Sequence, residues 1–276
     1  MLGREGVANA TLILALMLAG GPVRGQETSN AAPASTGAPA PTLSTEPAPS
    51  AGRQVSWKLL APNILRDQKP IWLFPVHAAQ GRHWKPTLAV VLGTAALVAL
   101  DPHDTPYFRR TDSFSGFNKV FSGGNTALGT AIVPLSVYAV GLARRDSYAQ
   151  QTALFAGQAV VDAEILATVM KNIDRRLRPI EIPPDGDYSH TWFKSNGRFL
   201  SGRGSFPSGH TMAAFSVATV FAERYKQHRW VPFVAYGLAG LVGFSRVPLQ
   251  SHFPSDVFAG AALGFAISRY VVLQHP

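Results

Sequence analysis

Residues 151–179 read QTALFAGQAVVDAEILATVMKNIDRRLRP, and this stretch decides the fold. Its apolar residues lack the strict alternation that a half-buried strand needs. Its polar residues do have a period. Glu164, Thr168, Lys171, Arg175 and Arg178 follow one another at steps of three or four, which sets them in one stripe along a helix. Pro179 cannot continue an α-helix, so the pattern predicts a long helix stopping at its basic end.

Working outward, further apolar segments rich in Ala, Leu and Gly lie at 87–100, 125–143, 209–225, 231–244 and 255–272. With the first stretch they predict an all-α fold, a six-helix bundle with short connections after the second and fourth helices and long loops after the first and third. Small residues such as Gly260 and Gly264 let backbones approach closely. Residues 57–85 hold several prolines and no period, and read as an N-terminal arm packed on the bundle. The folded domain would then cover 54–276.

Ahead of that domain the chain changes character. Arg4, the apolar run Val7–Leu18 and Val23-Arg24-Gly25 read as a signal peptide over 1–25, with an uncleaved anchor as the alternative. Residues 26–53 are Ala, Pro, Ser and Thr, a composition that buries too little to offset ordering entropy, so a disordered linker is expected. The uncharged runs Leu88–Leu100, Trp230–Ser245 and Val257–Ser268 fall short of the ~20 residues a span needs. An exported N-terminus followed by six spans would also place the third and fifth loops in the cytoplasm. The expectation is therefore an exported protein, periplasmic or peripheral to the cell envelope, with integral membrane as the alternative.

The 276 residues include no cysteine, which excludes disulfides, a thiol nucleophile and thiolate metal sites. The net charge of +9 is concentrated at Lys171, Arg175, Arg176, Arg178, Lys194, Arg198 and Arg203. That clustering points to a local anion site and not to a nucleic-acid-binding arm.

Three motifs carry chemistry: Lys171-x6-Arg178-Pro179, Pro207-Ser208-Gly209-His210, and Ser245-Arg246-x5-His252-x3-Asp256. Lys171, Arg178 and Arg246 suit a tetrahedral oxyanion, two as planar forks and one as a point charge. Ser208 and Gly209 open a helix, where free N–H groups and the dipole favour bound phosphate. Asp256 lies within reach of His252 across a helix start at Pro254, so the carboxylate can fix the imidazole tautomer. His210 can donate to a departing oxygen. Each feature alone has a bland reading: a capping histidine, a solvated basic face, an ordinary loop-to-helix entry. Together they fix eleven identities in order, which chance does not produce.

His77, His83, His103 and His190 have no ligand spacing, so no metal site is expected. Asp101, His103 and Asp104 fall in the first long loop, as loop caps or as a pocket rim. Trp192, Phe193, Phe199 and Phe206 read either as an apolar wall for substrate or as packing under the second loop.

The three motifs resemble those of the type 2 phosphatidic acid phosphatase superfamily, which includes bacterial acid phosphatases and vanadium haloperoxidases; the resemblance covers about residues 86–273. It implies an all-α bundle and a metal-independent phosphatase working through a phosphohistidine. His252 would be the nucleophile, Asp256 its orienting partner and His210 the acid. Lys171, Arg178, Ser208, Gly209 and Arg246 would hold the phosphate oxygens. No cofactor is implied, and vanadate is expected as a phosphate-mimicking inhibitor. The substrate would be a lipid phosphate such as phosphatidic acid or an isoprenyl diphosphate, or a soluble phosphomonoester, with contact to a membrane surface. A vanadium-dependent haloperoxidase and a non-catalytic phosphate- or head-group-binding protein are the alternatives.

Overall fold

A computed structural model describes residues 53–195 and 203–274. The expected signal peptide and nearly all of the expected linker lie outside the described residues, as do Arg198 and Phe199. The helices are α1 (Trp57–Ala79), α2 (Trp84–Arg110), α3 (Ser115–Val120), α4 (Gly123–Ala143), α5 (Ser147–Asp174), α6 (Gly209–Arg224), α7 (Trp230–Ser245) and α8 (Pro254–Ile267). A π-helical turn, Ser268–Val272, prolongs α8, and a 3-10 turn covers Pro179–Glu181. No strand occurs among the described residues, so the chain is all-α, but it has eight α-helices there and not six.

The two additions have physical causes. The expected arm is helix α1, despite Pro62, Pro70 and Pro75 inside it. Each proline removes a backbone donor, and side-chain bonds hold the helix instead. Arg53 donates to Asp67 at 2.6 Å, Gln158 of α5 donates to the other Asp67 oxygen at 2.6 Å, and Gln68 donates to Asp162 at 2.8 Å. The second addition, α3, lies in the expected first loop, which is shortened further because α2 runs on to Arg110. Asp101, His103 and Asp104 are therefore helical residues, not loop residues.

Helix α5 ends earlier than Pro179 predicts. Its last residue is Asp174, and Arg175 adopts a left-handed conformation at φ 46°. The Arg175 guanidinium donates twice to the Ser195 carbonyl, at 2.9 and 2.7 Å, and Asp174 accepts from the Arg176 N–H at 3.0 Å. These ties turn the chain away, so the polar stripe holds for Glu164, Thr168 and Lys171 but not for Arg175 and Arg178.

The core lies between α5 and α6. Ala156, Ala159, Ala163 and Ala167, spaced three or four apart, are fully buried on α5, as are Met212 and Val220 on α6. Helix α8 packs parallel to α6 at close range. A Cβ on Gly260 would fall 2.7 Å from the Ser208 carbonyl oxygen, so only glycine fits there.

The ends of α5 and α7 and the starts of α4, α6 and α8 converge at one end of the bundle. The turns before α2, α5 and α7 occupy the other. Both ends of α1 also reach that far end: Arg53 donates to the carbonyls of Val271 and Val272 at 3.0 and 3.3 Å, and the His83 ring lies 5.1 Å from Tyr270.

Four helical stretches are long and apolar enough to cross a membrane: Trp84–Arg110, Gly123–Ala143, Ser147–Glu181 and Pro254–Val272. Counting uncharged runs underestimates them, because polar residues near helix ends or facing the interior do not shorten a span. Leu88, Val91, Leu92 and Leu100 of α2 point out of the bundle, which suits lipid and not water. The chain is a membrane protein, the alternative reading of its sequence.

Candidate active site

Helix α8 begins at Pro254, and the Asp256 carboxylate accepts the Phe253 N–H at 2.9 Å, closing its first turn. This cap holds His252 just ahead of the helix, almost wholly buried. His252 Nδ1 lies 2.7 Å from the Ser205 carbonyl oxygen, which only accepts, so Nδ1 carries the proton and Nε2 keeps its lone pair.

The expected direct contact from Asp256 is longer, at 3.7 Å from Nδ1. Ser205 stands between the two: its hydroxyl donates to Asp256 Oδ2 at 2.5 Å while its carbonyl receives the imidazole N–H. Orientation of His252 by Asp256 is thus mainly indirect. Sequence spacing gives no sign of Ser205, which belongs to the loop before Pro207.

On the opposite wall, the turn from Phe121 to Gly123 holds two predicted residues. His210 Nε2 lies 3.2 Å from the Gly123 carbonyl, and Arg246 Nη2 donates to the Phe121 carbonyl. Arg246 is also tied to the Ser245 hydroxyl through Nε and Nη2 at 3.1 and 2.7 Å. Lys171 Nζ approaches the start of α6 so closely that a Cβ on Gly209 would lie 3.2 Å from it, with Glu164 Oε1 at 3.4 Å from the same point. A side chain at Gly209 would press on the ammonium group, which would have to give by a few tenths of an ångström. Glu164, placed on the stripe but given no role by the motifs, is the carboxylate facing Lys171.

Ser208 is engaged by its neighbours. Its N–H donates to the Asp256 carbonyl at 3.0 Å, and its hydroxyl pairs with Thr211 at 2.8 Å. It joins α6 to α8 and its backbone donor is not directed at a ligand. Arg178 lies beyond α5 in extended conformation, its Nε donating to the Arg203 carbonyl at 3.1 Å and its N–H to Glu181 at 2.8 Å.

The electrostatics tie these groups into one site. Burial lowers His252 to about 4, opposed by Asp256 and reinforced by Lys171 and Arg178. Burial also lowers His210 to about 4, with Arg246, His252 and Lys171 adding to the effect. Both imidazoles are neutral at pH 7. Burial brings Arg246 down to about 10, which leaves it cationic.

Behind His252 lies a residue that the motifs pass over. Arg176 is buried; its Nη1 donates to Asp256 Oδ1 at 2.6 Å and to the Ser255 hydroxyl at 2.7 Å, and its Nη2 to Asp101 at 2.6 Å. Its guanidinium stacks 4.0 Å from the Phe253 ring and 4.6 Å from Trp192, and Trp192 in turn packs on Phe206. Trp192 and Phe206 are therefore packing residues around Arg176. In sequence, Arg176 is visible only as one more charge in a basic cluster.

The family model described as the PAP2 superfamily matches residues 152–276, a stretch holding all three motifs and every predicted site residue. Residues 152–276 belong to the PAP2 superfamily. This PAP2 region is 35% identical over 105 residues to a lipid A 1-phosphatase of Rhizobium etli, covering 38% of this chain and 42% of that protein. An undecaprenyl-diphosphatase BcrC of Bacillus subtilis is 36% identical over 76 residues, covering 26% of this chain and 38% of that one. A phosphatidylglycerophosphatase B of Bacillus subtilis is 41% identical over 71 residues, covering 23% and 35%. The chain thus spans less than half the length of each of these relatives. A crystal structure of a transmembrane PAP2-type phosphatidylglycerolphosphate phosphatase from Bacillus subtilis is similar at a TM-score of 0.47 and 21% identity, over 67% of this chain and 92% of that one. The PAP2 region begins within α5; Asp101, Phe121 and Gly123, which complete the site, come from the helices before it.

Proposed function

We propose that the protein hydrolyses a phosphate ester or diphosphate carried by a lipid, with His252 Nε2 as the nucleophile. The observation that carries this reading is the Nδ1 proton donated to Ser205, which leaves a neutral, buried imidazole with its Nε2 lone pair in a site coupled to Lys171, Arg178 and Arg246. The cations hold the non-bridging oxygens and neutralise charge in the transition state. Nε2 attacks phosphorus, the bond from phosphorus to the ester oxygen breaks, and His210 delivers a proton to that oxygen. His210 is neutral in the empty site, and a bound dianion raises its proton affinity, so it arrives charged with the substrate. Water then attacks the phosphohistidine, His210 takes the water's proton, and inorganic phosphate leaves with His252 restored.

A lipid substrate is supported by two features. The site lies at one end of a bundle with four helices long and apolar enough to cross a membrane. Beside Arg246 lies a run of aromatic contacts: Phe117 on Phe121 at 4.7 Å, Phe117 on Phe244 at 5.6 Å, Phe114 on Phe244 at 5.5 Å and Phe108 on Phe114 at 5.8 Å. Phe121 contributes its ring to this patch and its carbonyl to Arg246, so apolar surface and phosphate-binding cation adjoin. The named relatives, whose printed names describe phosphatases of lipid A, undecaprenyl diphosphate and phosphatidylglycerophosphate, agree with such a substrate.

The test is phosphate release by the detergent-purified protein from a lipid phosphate and from a soluble aryl phosphate, with His252→Ala alongside. Expected are release from the lipid, loss of at least ~10³-fold in the variant and inhibition by vanadate. Release that survives in the variant would refute the nucleophile.

A further inference from the structure

Three charged side chains are buried together behind His252: Asp101 at 0%, Arg176 at 1% and Asp256 at 0% exposure. Their contacts form a chain from α2 to α8. Asp101 Oδ2 accepts from Arg176 at 2.6 Å and from the Ser255 hydroxyl at 2.5 Å, and Asp101 Oδ1 accepts from the Ser255 N–H at 3.2 Å. Arg176 Nη1 reaches Asp256 Oδ1 at 2.6 Å, and Asp256 Oδ2 receives Ser205 and the Phe253 N–H.

Burying three charges is costly unless every partner is present, and the partners here explain a division of labour. Arg176 cannot serve as a phosphate ligand, since it is buried and directed at two carboxylates, a serine and a threonine. Two carboxylates against one guanidinium leave one net negative charge, and that charge sits beside an imidazole that becomes cationic when Nε2 bonds to phosphorus. Asp101 also engages one prong of Arg176. Without it the guanidinium would close onto Asp256 alone and compete with Ser205 for Oδ2.

Resting on the phosphatase reading above, we propose that Asp101 is a positioning residue for the histidine chemistry: it holds Arg176 so that Asp256 keeps one oxygen for Ser205, and through Ser205 fixes His252. A helix outside the matched family region would then complete the orienting apparatus. Asp101 touches no substrate in this scheme, and the cations that bind phosphate stay in place without it.

Two quantities separate positioning from general support. In Asp101→Asn, kcat is expected to fall about 10–100-fold, the range seen when an outer hydrogen-bond partner is lost. KM and the inhibition constant for inorganic phosphate are expected to stay within about twofold of wild type. A kcat within threefold of wild type, or a fall in kcat matched by weaker phosphate inhibition, would overturn the proposal. If that variant does not yield monodisperse protein, Arg176→Lys decides on the same two readouts, because lysine keeps the charge and loses the fork. Wild type and His252→Ala run in parallel. If they release phosphate equally, the phosphatase reading itself has failed, independently of Asp101.

Discussion

At the scale of single residues, the empty site keeps two histidines neutral. His210 and His252 are both brought down to about 4 by burial, against an ordinary value of 6.5. Unfolded chains therefore bind protons at these positions at a higher pH than the folded protein does. Folded-state stability is complete above about 6.5 and is lost as pH falls from there towards about 4, by on the order of 3 kcal/mol for each histidine. The midpoint of thermal unfolding in detergent should drop over this interval, and His210→Ala should drop less; a midpoint independent of pH would contradict it. The motifs include both histidines, Asp256 and the three cations of the candidate site but not Glu164, because the motif residues occupy short, fixed spacings. Ser205, Arg176 and Asp101 escaped because their value comes from contacts between segments 51 to 154 residues apart. Ser208 was read as a phosphate donor from its place at a helix start; its N–H is engaged by the Asp256 carbonyl, while its hydroxyl is shared with Thr211.

At the scale of elements, periodicity identified helices well and their ends poorly. Helix α5 stops at Asp174 because Arg175 is drawn to the Ser195 carbonyl, a tertiary bond that no local pattern announces. The prolines of α1 suggested an irregular arm, whereas Asp67 and Gln68 fasten a helix to α5. Packing of α8 on α6 leads to a second expectation: Gly260→Ala should destabilise the protein by about 1–3 kcal/mol, read as a lower unfolding midpoint, because its Cβ would meet the Ser208 carbonyl. An unchanged midpoint would show that the two helices can separate freely. The aromatic run joining α3 to α7 gives a third. Replacing Phe117 and Phe244 together by alanine should raise KM for a lipid phosphate about tenfold and leave a soluble aryl phosphate unaffected. Equal losses on both substrates would mean that these rings only pack the fold.

For the whole molecule, the question is which end faces the cytoplasm. The turns at the end away from the site carry Arg82, Lys85, Arg144, Arg145, Lys226 and Arg229 against Asp146. The segments at the site end carry Arg109, Arg110, Lys119, Arg175, Arg178 and Lys194, so both ends are basic and charge asymmetry does not set the orientation. Arg53 is anchored at the same far end through Val271 and Val272. The absence of cysteine makes the orientation directly readable. An impermeant thiol reagent on intact cells labels Ser113→Cys and spares Arg145→Cys where the site faces outward, and gives the reverse pattern where it faces inward. Both the bundle class and the site were legible in the sequence, but the membrane was not, since uncharged runs are shorter than the helices that contain them. The most direct measurement of the central claim is acid-labile, base-stable label trapped on the protein during turnover of a 32P-labelled lipid phosphate, mapped by peptide. The account predicts label on His252 in wild type and none in His252→Ala, whereas label on another residue, or turnover by the variant at the wild-type rate, would contradict it.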